Sequence, residues 1–413
     1  MRAVIPVENN DVLAAVRGFL KQLLEVGVVD ALLVPMETPS GTVTPALVAD
    51  PDLVDAANPL APVMGLNAAR VVGHTSVREP RGRIGALLRP CELRALVELV
   101  KLQQASLDDL MIIGVDCLGT YDVSVYTTMG HSTAQASGEG RSHSQADAAA
   151  LTLSRADTSH RMDGILAAYL ATAQSGELVP QEGYAFRDAC QMCEKPHVEF
   201  QGADVVLELF GADLTAGIPV RLSEEVVEKL GASVLESVLA SVLESTAQEN
   251  RCRAEIVEKV VAARIQVRDA RFAEIRQRLE HEGVEGVFAA CVRCHNCMTV
   301  CPICYCKTCL FRSPVFDHEP AQYMSWARRK GAYRLPADTM LFHLTRLNHM
   351  ALSCVGCGMC TSDCPAELPV GQVFRSVGSQ VQKVFDYEPG RDVEETLPLI
   401  TFREDEWMEV GEE

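Results

Sequence analysis

Apolar positions in the first 120 residues fall into two kinds of run. Val28 to Pro35 reads VVDALLVP, Arg83 to Arg89 reads RIGALLR, and Leu110 to Asp116 reads LMIIGVD. Near-continuous apolar runs of this length predict strands covered on both faces. Between them the period changes. Val12 to Leu24 carries its apolar residues at helical spacing, with Asn10 or Asp11 placed to cap the first turn. ELRALVELVKL, following Pro90-Cys91, predicts a second helix, and Ala61 to Val72 a further strand-and-helix unit. Strand, helix, strand within this length predicts a βαβ unit with parallel strands, hence an α/β core. VVLELF, Val205 to Phe210, adds a strand.

Beyond the core the pattern turns helical. Met162 to Ala173 predicts one helix and Ser223 to Ser245 another, with Val234, Leu235, Val238, Leu239, Val242 and Leu243 on one apolar face. That face reads first as core packing and second as a docking surface. Asn250 to Gly283 predicts a long helix laced with Glu and Arg. Cys252, alone on it, reads as a small buried residue rather than a ligand. Residues 129–160 are rich in Ser, Ala, Gly and His and read as a surface loop or insertion, with His131, His143 and His160 solvated rather than bound to metal.

Composition narrows the class. An apolar content of 48% supports real cores, and 5% aromatics makes them aliphatic. A net charge of −19 argues against nucleic acid and anionic membranes as partners. No apolar run approaches the ~20 residues of a membrane span. MRAVIPVENND lacks the charged-then-apolar pattern of a signal peptide. Sixteen cysteines without an export signal point to a reducing cytoplasm and to metal ligation.

The cysteines carry the chemistry. CVRCHNCMTVCPICYCKTC, Cys291 to Cys309, places seven of them in nineteen residues, and CVGCGMCTSDCP follows at Cys354 to Pro365. Both open as C-x2-C-x2-C-x3-C-P, the two-cluster ferredoxin spacing. Three cysteines two residues apart let one loop wrap three corners of a 4Fe-4S cube. The fourth crosses to the other cube, and the proline turns the chain away. This pairing gives Cys291, Cys294, Cys297 and Cys364 to one cluster, and Cys354, Cys357, Cys360 and Cys301 to the other. Zinc ribbons use C-x2-C pairs but do not need triplets closed by C-P. The motifs lie farther apart than in a minimal ferredoxin, so residues 310–350 form an insertion with a loop, SPVFDHEPAQY, and a helix, MLFHLTRLNHMALS; another helix runs from Val370 to Phe385. Cys304, Cys306 and Cys309 exceed the ferredoxin requirement. They are candidates for a further cluster or a zinc with a fourth ligand from elsewhere, or else are buried thiols. The divisions are an α/β core at 1–215, a helical linker at 216–285, a two-cluster ferredoxin-like domain at 286–385, and an acidic tail at 386–413 that wraps the domain or docks a neighbour.

Four more cysteines stand outside that domain. Cys91 and Cys117 fall at the carboxyl ends of neighbouring predicted strands, where open α/β sheets place their sites. Cys91 also opens a helix, which favours a thiolate. Cys190 and Cys193 form a lone C-x2-C in DACQMCEKP. Spacing leaves a redox dithiol, a zinc half-site and a cluster half-site all open.

The cysteine-bearing segments RPCELRALVEL, IIGVDCLGT, YAFRDACQMCE and CVRCHNCMTVCPICYCKTCL, then LTRLNHMALSCVGCGMCTSDCPAELPVGQVF and DYEPGRDVEETLPL, resemble in order the beta subunits of formate dehydrogenases and hydrogenases that use the deazaflavin coenzyme F-420. The formate dehydrogenase version is the nearer, and the resemblance covers most of the chain. It implies an α/β flavoprotein-like core holding a third 4Fe-4S cluster through Cys91, Cys117, Cys190 and Cys193, with the ferredoxin clusters appended. The chain departs from the family's pattern at two places. HVEFQGADVVLELFGADLTAG replaces the acidic residue and Gly-rich stretch that line the flavin pocket, and the N-terminus lacks a Cys-Gly-Gly-type turn. FAD stays an open cofactor candidate and coenzyme F-420 a weaker one.

The expected function is an iron–sulfur electron-transfer subunit of an oxidoreductase complex, inactive alone and partnered by a catalytic formate dehydrogenase or hydrogenase subunit. No G-x-G-x-x-G follows a strand and no P-loop occurs, so the chain carries no motif for formate or hydrogen chemistry itself. Two other classes are a flavin-free relay and docking subunit of a heterodisulfide-reductase-like complex, and a zinc-stabilised interaction protein.

Overall fold

The structure, a computed structural model, describes residues 1–38, 41–77, 82–131, 155–238, 241–242 and 247–398, with side chains except at 130–131, 155–163 and 232–250. The predicted readings of His131, His143 and His160, of the apolar face from Val234 to Leu243, and of the tail beyond 398 fall outside what is described. The chain divides into two units, Met1–Leu93 with Ala105–Arg268, and Arg94–Gln104 with Asp269–Glu413.

The first unit is built on one sheet. Its strands are β1 (Arg2–Pro6), β2 (Ala31–Glu37), β3 (Val43–Val48), β4 (Ile84–Leu88), β5 (Leu110–Val115), β6 (Val205–Leu207), β7 (Gly217–Leu222) and β8 (Ser241–Val242). They lie in the order β3-β2-β4-β5-β6-β7-β1-β8. The pairs β2–β4, β4–β5 and β5–β6 are parallel, and the flanking pairs antiparallel. Every residue of β5 is buried, as its unbroken apolar run requires. Helix α1 (Val12–Glu25) covers the sheet through Val16, Phe19, Leu20 and Leu23, and Asp11 caps it by accepting from the Ala14 amide at 2.8 Å. The other helices, in order, are α2 (Ala69–Ser76), α3 (Pro90–Lys101), α4 (Val123–His131), α5 (Arg155–Ser175), α6 (Asp188–Gln191), α7 (Glu224–Val238, interrupted at Gly231) and α8 (Ala247–Val287, interrupted at Gly283).

Several elements differ from expectation. The core does not end at residue 215, because β7 and β8 continue the sheet into the segment read as helical linker. β7 alternates buried Ile218, Val220 and Leu222 with less buried neighbours, but Pro219 in its middle obscures the strand pattern. β3 also holds a proline, Pro45, tolerated because this strand is at the sheet edge. Ala61 to Val72 contributes a single bridge, Val63 to Tyr121, and the start of α2 rather than a strand. Cys252 is exposed, not buried, and lines a cavity of about 410 Å³ with Arg2, Glu208, Phe210 and Arg253.

The second unit is helical: α9 (Asn296–Thr299), α10 (Pro320–Lys330), α11 (Thr339–Met350), α12 (Met359–Ser362) and α13 (Val370–Val384). α10 begins inside the stretch read as loop, with Pro320 at its first turn. The first part of the tail wraps its own unit. Buried Glu98 accepts from the Tyr387 hydroxyl at 2.6 Å and the Gly390 amide at 2.8 Å, and Lys101 reaches Glu395 at 3.2 Å. Gly390 has φ 80°, and a Cβ there would stand 2.4 Å from the Arg94 Cα. Gly390→Ala should therefore lower stability by about 2–3 kcal/mol, from a positive φ and a backbone clash together. Denaturant unfolding checks this: the midpoint should fall with an unchanged slope.

Candidate metal centres

In the first unit two cysteines stand at strand ends and two in the 190s segment. Cys91 is the second residue of α3, just past β4; Cys117 lies two residues past β5; Cys190 sits in α6 and Cys193 just beyond it. The Cys117 amide donates to the Pro196 carbonyl at 2.8 Å, which ties its loop to the segment after Cys193. The Thr120 hydroxyl is 3.2 Å from the Cys190 sulfur. Burial pushes the Cys117 thiol up to about 12, and Cys190 and Cys193 add to it while Arg89 and Arg264 oppose it. Arg89 is itself buried. Burial opposes its charge, and Glu92, Cys117 and Cys91 hold it in place. Cys117 thus senses Cys190 and Cys193, and Arg89 senses both Cys117 and Cys91.

Asp116 organises this edge. Its carboxylate, fully buried, is bridged by Arg253 at 2.6 and 3.1 Å and accepts from the amides of Val198 and Leu209. It therefore clamps the end of β5 to the segments after Cys193 and after β6.

In the second unit, two loops of the same backbone design carry the triplets. Arg293 and His295 have φ of 55° and 64°, and Gly356 and Gly358, at the equivalent places between cysteines, both have φ 72°. Left-handed residues between the cysteines curl each loop so that its sulfurs can face one point. Each loop then enters one helical turn, α9 or α12, that holds the third cysteine, and the Asn296 side chain donates to the Asp363 carbonyl at 3.3 Å. The sulfurs fall into two groups. Burial pushes Cys297 up to about 11, opposed by Arg346 and reinforced by Cys291, Cys364 and Cys294. Burial raises Cys360 too, with Cys301, Cys357 and Cys354 adding to it. Each group contains one cysteine from the opposite motif, Cys364 in the first and Cys301 in the second.

Comparison with known proteins bears on this geometry. Residues 287–368 match the family described as 4Fe-4S dicluster domain. This segment is a 4Fe-4S dicluster domain. Over 94% of its length the chain is 25% identical to "F420-dependent formate dehydrogenase 1 subunit beta" of Methanococcus maripaludis, covering 93% of it. It is 22% identical to "F420-dependent formate dehydrogenase subunit beta" of Methanocaldococcus jannaschii over 77% of this chain and 76% of that one. The recognised resemblance and the curated relatives name the same beta-subunit family. A chain from a structure of the F420-reducing NiFe hydrogenase complex of Methanosarcina barkeri aligns with 66% of this chain and 92% of its own, at 11% identity and a TM-score of 0.40.

The dicluster domain also fits its clusters in its donor groups. The buried Nε–H of Arg346 has no hydrogen-bond partner, and its guanidinium donates to the Cys297 sulfur at 3.1 Å. His343 Nε2 is 3.3 Å from the Cys291 sulfur, and burial, with Arg346 next, lowers the imidazole to about 4. Donors aimed at sulfur suit a thiolate cluster, whose acceptors are thiolate and sulfide. A thiol that ligates iron gives up its proton outright, so the high thiol values belong to the metal-free chain.

The three extra cysteines are placed unevenly. Burial pushes Cys304 up to about 11, with Cys301, Cys306 and Cys309 as neighbours; Cys306 is exposed; Cys309 lies 3.7 Å from the Met298 sulfur. Among the described residues no three His, Cys, Asp or Glu side chains lie close enough to share a single metal ion. Four thiolates around a cube stand farther apart than around one ion.

Sequence reasoning missed His343 and Arg346 as site residues. The signal was there: Thr339, Phe342, His343, Arg346 and Met350 make the buried stripe of α11, and a cation on such a stripe needs a partner. It missed Asp116 as well, which reads as the end of a strand. Asp116→Asn would leave Arg253 poorly paired and loosen three segments at once. It should cost about 2–4 kcal/mol. Thermal unfolding of the anaerobic protein measures the loss, and an unchanged transition would remove the clamp from this account.

Proposed function

We propose that the chain is the iron–sulfur beta subunit of a formate dehydrogenase- or hydrogenase-type complex. It would pass electrons between a catalytic subunit and a flavin, a soluble coenzyme or a second redox subunit. What supports the reading is a 4Fe-4S dicluster domain inside a chain that is similar, over 94% of its length, to a curated formate dehydrogenase beta subunit. The ligand sets are Cys291, Cys294, Cys297 and Cys364 for one cube, and Cys301, Cys354, Cys357 and Cys360 for the other. A third cube in the first unit is held by Cys91, Cys117, Cys190 and Cys193. The cubes supply one-electron, outer-sphere transfer, and the protein tunes them through burial, hydrogen bonds and charge. Cys304, Cys306 and Cys309 are candidates for a further metal centre completed by a ligand from elsewhere, or else are packed thiols. No helix among the described residues is long and apolar enough to cross a membrane, and a chain with sixteen cysteines, most of them read as metal ligands, suits a reducing cytoplasm.

Iron and sulfide analysis of anaerobically purified protein tests the ligand sets. Three cubes per chain are expected. Cys117→Ser with Cys193→Ser should remove one cube and leave the dicluster signals intact, and a wild-type chain carrying only two would remove the core centre. Cys306→Ser with Cys309→Ser should lower total iron or zinc, and unchanged metal would make these cysteines plain packing.

The partner reading has its own test. The chain alone should give no formate- or hydrogen-dependent dye reduction, and should co-purify with a catalytic subunit of that type. Robust turnover by the lone polypeptide would overturn it. A truncation probing docking should begin after residue 398, because Tyr387, Gly390 and Glu395 are bonded to α3 within the second unit.

A further inference from the structure

Arg346 lies on α11, in the stretch that separates the two cluster motifs, and is only 3% exposed. Its Nη1 donates to the Cys297 sulfur at 3.1 Å and its Nη2 to the Cys297 carbonyl at 3.0 Å. Two buried rings hold the guanidinium from other sides, Phe374 at 4.9 Å and Phe342 at 5.5 Å. Among the described residues no carboxylate pairs with it. A buried guanidinium without an anion is a heavy penalty. The sulfurs it senses come from both sets, Cys297 first, then Cys301 and Cys360, followed by Cys304 outside them.

We infer that Arg346 is the shared counter-charge of the two dicluster centres and makes them unequal, raising the reduction potential of the centre built on Cys297 above that of its neighbour. The inference rests on the two-cluster reading above. Adding an electron to either cube adds negative charge, and a fixed cation beside it stabilises the reduced form. The effect is larger on the first centre, because only there does the guanidinium bond directly to a ligand sulfur. The second centre feels the charge through space, at Cys301 and Cys360. His343, stacked on Phe288 with ring centroids 3.9 Å apart, places its Nε2 3.3 Å from the Cys291 sulfur of the first centre. Both devices come from α11, so the insertion makes two nearly identical motifs differ. An electron shared between them rests on the centre of Cys297.

Anaerobic potentiometric titration of the full chain, followed by electron paramagnetic resonance, tests this with Arg346→Lys and Arg346→Gln. Iron content is measured on every sample. The glutamine variant keeps an amide donor and loses the charge. It should lower the reduction equilibrium constant of the higher-potential dicluster centre about tenfold, which is about 59 mV for one electron, and that of its neighbour by less. The lysine variant should stay within about threefold of wild type. Equal potentials in wild type and Arg346→Gln at full iron content would overturn the inference, as would a lysine variant that falls as far as the glutamine one. Loss of a cube in both variants while wild type loads fully would make the residue structural and overturn it too. A wild-type dicluster domain with fewer than two cubes would instead sink the reading on which the inference rests.

Discussion

A thiol buried among other thiols resists ionisation, and Cys117 and Cys354, both pushed up to about 12 chiefly by burial, show how strongly. Bound as cluster ligands they must be thiolates, so each site has to bring positive charge with it. The chain carries −19 overall, yet arginines stand at its sulfurs. Arg89 and Arg264 oppose the rise at Cys117, Arg346 at Cys297, Arg94 at Cys354 and Arg334 at Cys291. Guanidinium suits this task because it stays charged when buried and spreads several donors in a plane. Iron completes the balance, since the metal displaces the thiol protons.

The cradle around the dicluster centres obeys a second constraint. In both loops left-handed residues between the cysteines curl the chain so that three sulfurs can face one point. The second motif meets this with Gly356 and Gly358; the first uses Arg293 and His295, whose side chains make the same conformation costlier. The insertion offsets that cost. Arg293 pairs with buried Asp338 at 2.7 Å, and His295 packs on Phe342 with centroids 4.7 Å apart. What looks in sequence like a spacer is thus the support of the first loop.

Much of this was legible in the sequence. The apolar runs at β2, β4 and β5 gave the parallel centre of the sheet, and the C-x2-C-x2-C-x3-C-P spacing marked the dicluster domain, because one loop makes three of its ligands. Pro45 and Pro219 hid strands, since proline cannot donate to a sheet ladder; Pro45 stands in the edge strand β3, and Pro219 in the interior strand β7. The grouping of Cys117 with Cys190 and Cys193 was not legible from spacing, because it depends on the loops past β5 being tied to the 190s segment. Arg346 was read only as part of a helix, because the sulfur it donates to belongs to Cys297, 49 residues away.

The two kinds of sulfur group also differ in when they can form. In the dicluster loops three thiols lie within seven residues, so bringing them together closes only short loops and costs little chain entropy. The proposed core group would draw on residues 91, 117, 190 and 193, and its members would meet only once β4 and β5 are paired and Asp116 has tied down the segments after them. Metal binding at such a dispersed set would be bound up with folding of the sheet, whereas contiguous loops bring their thiols together locally. Asp116 and Arg253, which touch no cysteine sulfur directly, therefore bear on the proposed core group by fixing the segments that carry its thiols.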